Sequence, residues 1–237
     1  MIIPLKAIDA RYEPKPWSFA IEQRAEIDAH WQKLQAAKPD GLWNGTVLIQ
    51  HRWQIEGGIY HAGYTDVDYA SFLAWRDFGW PGPPVRNGFA MAALQGTDGA
   101  FVLGVMGPHT ANAGKIYFPG GTPDLGDITE DKHVDLGASL LRELKEETGL
   151  SDDEFTVDER WFAAPDTGRI AFLKPTHLHL PAAEARELIL SRLASLHEEE
   201  LADIHIVRSV EGLDNPLIPV WAANFMRASF EGTLGEP

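Results

Sequence analysis

Glu143, Glu146 and Glu147 stand within the run Arg142-Glu143-Leu144-Lys145-Glu146-Glu147-Thr148-Gly149-Leu150, which reads as the end of a helix. At about 100° per residue these three acids share one arc, and Leu140, Leu141 and Leu144 fill the neighbouring arc that would face a core. Like charges three and four residues apart repel by roughly a few tenths of a kcal/mol per pair, so such a face needs a counter-charge. Hard carboxylate oxygens on a rigid helix suit Mg²⁺ or Mn²⁺, and a cation held there binds and polarises phosphate oxygens. Solvated helix faces carry similar strings with no chemistry attached, so the setting matters. A Pro119-Gly120-Gly121 turn precedes the run, and Thr148-Gly149 closes it, where glycine can take the left-handed conformation that ends a helix.

Together these parts resemble the Nudix box, written as Gly, five residues, Glu, seven residues, then Arg-Glu-aliphatic-x-Glu-Glu-x-Gly-aliphatic. The second half matches at every specified position from Arg142 to Leu150. The first half departs from the pattern. Counting five residues on from Gly121 reaches Asp127 in place of Glu, and fourteen residues then separate Asp127 from Arg142 instead of seven. The simplest account is a seven-residue insertion, approximately Ile128 to Val134, in the loop before the helix, with Asp127 still within reach of the site.

The resemblance, specific over Gly120 to Leu150, implies metal-dependent hydrolysis of a phosphoanhydride bond in a nucleoside diphosphate linked to another group. It implies that Glu146 and Glu147 bind Mg²⁺ or Mn²⁺, with Glu143 either a further ligand or the base that takes a proton from water. Arg142 would pair with a box carboxylate and hold the helix face in register, and the Gly120 carbonyl would be an additional ligand. Many members take one more acid from beyond the box; Glu198, Glu199 and Glu200, after His197, lie in about that place. Pro165, fifteen residues past Leu150, stands where members that act on ADP-ribose and related nucleotide sugars carry a proline, which favours a sugar-linked substrate. Such members are frequently dimers sharing an N-terminal extension, so a homodimer is expected. Among the aromatics before the box, Trp43, Tyr60, Tyr64, Trp75 and Trp80 are candidates for base stacking or for core packing. Two other classes stay open. The chain could be a non-catalytic nucleotide or nucleotide-sugar sensor, or its N-terminal region could be an interaction module with the rest as scaffold.

Composition sets outer limits. At 237 residues with 44% hydrophobic side chains, the chain can bury a substantial core. No run of eighteen apolar residues and no secretory pattern is present, and with no cysteine there is no disulfide, thiol nucleophile or cysteine-zinc site, so a cytoplasmic protein away from membranes is expected. A formal charge of −15 argues against broad contact with nucleic acid, which requires clustered Lys and Arg. It leaves room for a small nucleotide substrate, because a local cation site can overcome a repulsive surface field.

The elements that would position these residues follow from periodicity and punctuation. Ser18 reads as the N-cap of a helix to about Ala37, stopped by Asp40-Gly41. Strands are expected over Thr46 to Trp53 and Ile59 to Tyr64, and a short aromatic helix over Val67 to Phe78. The Pro- and Gly-rich segment Gly79 to Gly88 marks a boundary, giving an N-terminal region at 1–86 and the Nudix-like part at 87–237. In the latter, Phe89 to Leu94 and Ala100 to Met106 read as a hairpin, and Lys115 to Phe118 leads into the Pro-Gly-Gly turn. Asp135 would cap the acidic helix at about 135–149. Strands near Thr156 to Ala163, Arg169 to Leu178 and Ile204 to Val207 and helices near Ala182 to Leu196 and Pro219 to Phe230 complete the reading. The fold class expected is α+β: a Nudix-like α/β/α sandwich with a mixed sheet, plus a smaller N-terminal α+β region.

Overall fold

The computed structural model describes residues 1–237 except 38–41, 83, 197–199 and 237. The chain begins with β1 (Ile3–Leu5) and β2 (Ala7–Tyr12), continues through α1 (Ser18–Glu22) and α2 (Arg24–Ala37), and then forms the hairpin β3 (Thr46–Glu56) and β4 (Ile59–Asp68), followed by α3 (Tyr69–Asp77). Next come β5 (Asn87–Gln95), β6 (Phe101–Met106), β7 (Ile116–Tyr117), β8 (Gly120–Gly121), a 3₁₀ turn at Leu125–Asp127 and α4 (Leu136–Thr148). The remainder is β9 (Phe155–Val157), β10 (Trp161–Asp166), β11 (Arg169–Leu178), α5 (Ala182–Leu193), β12 (Leu201–Val207), a 3₁₀ turn at Val210–Asp214 and α6 (Val220–Phe230).

Two sheets organise these elements. The larger runs β1-β10-β11-β5-β6-β12, with β7, β8 and β9 paired at its sides; the smaller is β2-β4-β3. The larger is mixed, since β11 and β5 run parallel while the neighbouring pairs are antiparallel. Consistent with a strand covered on both faces, β5 is buried from Asn87 to Leu94. With α4 packed on β5 and β8, α5 on β12 and α6 on β10, the class is α+β, as the sequence implies.

The hairpin over β5 and β6 opens almost at once: the two strands pair only at Gln95↔Phe101. Beyond that point the segment from β7 to β8 enters between them, β7 pairing with β6 and β8 with β5. This wedge carries the Pro-Gly-Gly turn into the middle of the sheet. Gly120 sits there at φ +137°, and a Cβ on it would lie 2.2 Å from the Ala90 carbonyl oxygen, so only glycine fits.

Residues 1–86 build the smaller sheet and α1 to α3, and also contribute β1 to the edge of the larger sheet beside β10. A buried polar seam joins the sheets. Gln50, fully buried, accepts from the Tyr60 hydroxyl (2.8 Å) and donates to the Tyr64 hydroxyl (2.7 Å), which donates to the Gly88 carbonyl (3.1 Å). The expected helix from Ser18 to Ala37 is broken at Gln23 into α1 and α2. Just past the break Arg24 reaches Asp68 and Ser71, where Asp68 caps α3, so a tertiary ion pair sets the helix start. The expected stop at Asp40-Gly41 lies outside the described residues.

Candidate functional site

Helix α4 is fixed at both ends by the residues that punctuate it in sequence. Asp135 accepts from the Gly137 and Ala138 amides, and Gly149 closes the helix at φ 68°. Its apolar face buries Leu136, Leu140 and Leu144 against the sheet. That orientation turns Glu143 and Glu147 towards the Pro-Gly-Gly turn, and a Cβ on Gly121 would come within 3.3 Å of the Glu143 carboxyl. Both glutamates, with Gly120 and Gly121, line a cleft of about 830 Å³.

Glu200, directly before β12, lines the same cleft, and its charge acts on both Glu143 and Glu147. Glu147 is 5% exposed, and its Oε2 has no hydrogen-bond partner. Burial, then the charges of Glu200 and Glu143, hold the Glu147 carboxyl well above the usual range, against a hydrogen bond from the Gly120 backbone. Burial likewise pushes Glu143 up to about 7; Arg142 opposes this while Glu146 and Glu200 add to it. These acids are therefore gathered at a cost that a cation would offset, and an orphaned buried carboxylate oxygen is the donor such an ion uses. The donor set fits Mg²⁺ or Mn²⁺ in kind. In the arrangement observed, no three acidic or histidine side chains among the described residues already converge to hold an ion.

Arg142 occupies the edge of the cluster. Its Nη1 lies 2.7 Å from Glu143 Oε1 and 3.0 Å from Glu146 Oε2, and its Nη2 donates to Asp127 Oδ1 at 3.1 Å. Although burial disfavours its charge, Glu143, Asp127 and Glu146 hold the guanidinium firmly protonated. Glu146, its side chain 59% exposed, is turned to Arg142 and is not among the cleft-lining residues. Asp127 is 6% exposed and also accepts from Ser139 Oγ (2.9 Å) and the Asp124 amide (3.0 Å). It thus ties the turn before the insertion to two residues of α4.

The insertion itself is a closed excursion. The Asp135 amide donates to the Asp127 carbonyl (2.9 Å), so the chain leaves and returns at one place. Its outer part docks on β2 through Tyr12 N–H to Lys132 O (2.8 Å) and Val134 N–H to Ala10 O (3.0 Å).

Comparisons with known proteins stand beside this geometry. No family model and no curated protein matches the chain. Solved structures similar to it in part include the following three. A Nudix hydrolase from M. smegmatis, RenU, is 18% identical over 64% of this chain and 88% of its own, with a TM-score of 0.43. The MutT protein from Methanosarcina mazei Go1 is 16% identical over 63% of this chain and 96% of its own, at 0.37. The E. coli ORF135 protein is 21% identical over 62% of this chain and 91% of its own, at 0.35.

Beyond the acids, the cleft has walls that the sequence does not advertise. Its floor follows alternate residues of β5, namely Asn87, Phe89 and Met91, as a strand's two-residue period dictates. The facing wall comes from the N-terminal region, where Tyr69, Phe72 and Arg76 of α3 share one helical stripe. That stripe was the available signal, since residues spaced by three and seven positions fall on one face. Of the five candidate aromatics, Tyr60, Tyr64 and Trp75 are no more than 1% exposed and belong to the core, and Trp43 is 85% exposed away from the cleft. Trp80 alone of the five lines it. Pro165 is exposed on β10 beside the cleft-lining Asp166. His197, Glu198 and Glu199 lie outside the described residues.

Proposed function

We propose that this chain is a Nudix-type pyrophosphohydrolase that cleaves, with Mg²⁺ or Mn²⁺, the phosphoanhydride bond of a nucleoside diphosphate linked to another group, most simply a sugar. One observation carries the reading. A box helix with the Arg142 to Leu150 pattern presents Glu143 and Glu147 beside Gly120 and Glu200 in one cleft, with a buried Glu147 oxygen lacking a partner.

In this reading Glu147, the Gly120 carbonyl and Glu200 would hold the metal, with Glu146, now paired to Arg142, a further candidate ligand. A dication held there would supply charge neutralisation on the phosphates and polarisation of the phosphorus centre. The chain's own residues do the rest. Asp127 and Arg142 keep the acid face in register, Gly120 and Gly121 let backbone and substrate approach closely, and the cleft walls limit the water that enters. Water adds across the P–O–P linkage, one P–O bond forming as another breaks. The products are a nucleoside monophosphate and a phosphorylated fragment, and the water's proton passes to a carboxylate. Glu143 is either that acceptor or a further ligand, and a carboxyl held near 7 suits the former.

The test is a phosphate-release screen over nucleoside triphosphates, dinucleotides, nucleotide sugars and coenzyme A, with each metal. Turnover on a nucleotide sugar supports the proposal, and absence of turnover on all of them by folded protein favours a sensor. Calorimetric metal titration of Glu143→Gln then separates its two roles: retained affinity with lost turnover marks the proton acceptor, and lost affinity marks the ligand.

A further inference from the structure

The acid cluster fills only one end of the cleft, and the strand beneath it measures the distance to the other. Met91 is opposite Gly120 in the sheet register, and Asn87 is opposite Arg169. The four residues from Met91 back to Asn87 span about 13 Å of strand. Helix α3 follows the same course. The charge of Glu200 acts on the Tyr69 hydroxyl at its start, while Trp80, just past its end, packs on Gly168 beside Arg169.

At that far end the side chains change character. Asn87 and Thr122 hydrogen-bond each other (3.0 Å), and Arg169 donates through Nε to Asp166 (3.1 Å). Arg169 also stands 5.8 Å from the ring of Trp80. Trp80 holds φ at 62°, in the left-handed region that a bulky residue rarely occupies, secured by its amide to the Trp75 carbonyl (2.9 Å). Between the two ends stands Trp221, which lines the cleft, is 2% exposed, and has an Nε1–H with no acceptor. It packs edge-on against Phe89, the middle residue of the floor.

We propose that the cleft is built for a nucleoside phosphate laid along β5, with the phosphate over the acids and the nucleobase against Trp80, Arg169 and Asn87. Trp221 Nε1 donates to an acceptor near the ligand's middle. The strand length between the ends matches an extended nucleoside phosphate, the part-exposed Trp80 ring on the cleft wall gives a base an aromatic contact, and the Arg169 guanidinium and Asn87 amide give its edge polar ones. This deepens the hydrolase reading by assigning the residues that would receive the nucleobase, and it rests on that reading for the placement of the phosphate.

Binding of a product-like probe tests it without requiring turnover. Calorimetry would compare AMP, GMP and UMP with ribose 5-phosphate, with Mg²⁺ and with chelator, and adenosine, guanosine and uridine would separate the base end from the metal end. At least one nucleoside monophosphate is expected to bind ten or more times tighter than ribose 5-phosphate. Trp80→Gly, which suits the left-handed backbone, is expected to abolish that preference. Trp221→Phe, which keeps the ring and removes the donor, is expected to weaken nucleotide binding at least threefold, with thermal melts verifying that both variants are folded. Equal binding of ribose 5-phosphate and every nucleotide, no binding of any probe, or a nucleotide affinity within twofold of wild type in Trp80→Gly would each overturn the proposal. Nucleoside binding without turnover on any substrate would leave this site standing and remove the hydrolase.

Discussion

Replacing Glu143 with Gln should stabilise the metal-free protein at alkaline pH, because the native fold holds this carboxyl at about 7 instead of the ordinary 4.5. In the folded chain the raised value means that more protons are bound between these two pH values than in the unfolded chain. The contribution to stability is therefore fully present below about 4.5 and is lost as pH rises through about 7. At pH 8.5 the difference corresponds to about 3 kcal/mol as an upper figure. The side chain is only 21% exposed, so solvent screens it modestly, and about 2 kcal/mol is a reasonable expectation. For a chain of this size that raises Tm by roughly 4–8 °C. Arg142 loses one partner in the variant but keeps Asp127 and Glu146. Calorimetric melts of wild type and Glu143→Gln in chelator should therefore diverge at pH 8.5 and coincide near pH 4. Adding Mg²⁺ should raise the wild-type Tm and narrow the gap, since an ion that binds only the folded state stabilises it by mass action. A variant less stable than wild type at both pH values would refute the reasoning, because Glu143 would then be a net structural contact instead of a repelled charge.

Three further outcomes follow from other parts of the fold. Gly120→Ala places a methyl 2.2 Å from the Ala90 carbonyl oxygen at φ +137°, and should cost more than about 3 kcal/mol in urea unfolding. Glu154 is held at about 2 by hydrogen bonds from both terminal nitrogens of Arg192, so its stabilisation is present above about 4.5 and lost as pH falls towards 2. Glu154→Gln should destabilise by about 1 kcal/mol at pH 7 and by less at pH 3. Excising 128–134 should leave amide protection along α4 intact while accelerating hydrogen exchange at Tyr12, whose amide donates to Lys132.

What the sequence makes legible is whatever local periodicity decides. The acidic helix is readable because Asp135, the Leu136-Leu140-Leu144 stripe and Gly149 all point to one element, and the strand Arg169–Leu178 is observed with the bounds expected. Long-range partners decide the rest. β1 is three residues long and exists as a strand because β10 offers it an edge, for which Ile3–Leu5 carries no signal of its own. The expected strand from Thr156 to Ala163 divides into β9 and β10 because Asp158 and Arg160 bind each other at the break. Within the site, Glu146 and Glu147 are adjacent on the same arc, and only the packing of α4 turns Glu147 inward and Glu146 towards Arg142. Glu200 is likewise set on the cleft by the strand that begins after it.

The loop over 128–134 and the N-terminal region are joined in the structure. Asp127 is held beside Arg142, and a loop whose ends are hydrogen-bonded preserves that position whatever its length. Lengthening such a loop costs only about 0.6 kcal/mol per doubling, which two backbone hydrogen bonds to β2 can offset. Those bonds fasten the smaller sheet to the base of the acidic helix, and on the opposite side of the same sheet's hairpin the Leu48 amide donates to the Pro123 carbonyl beside the glycine turn (2.7 Å). The region that supplies Tyr69, Phe72, Arg76 and Trp80 to the cleft is thereby held to the box at two points. Residues 128–134 therefore tie the sheet of the N-terminal region, which supplies one wall of the cleft, to the base of the acidic helix.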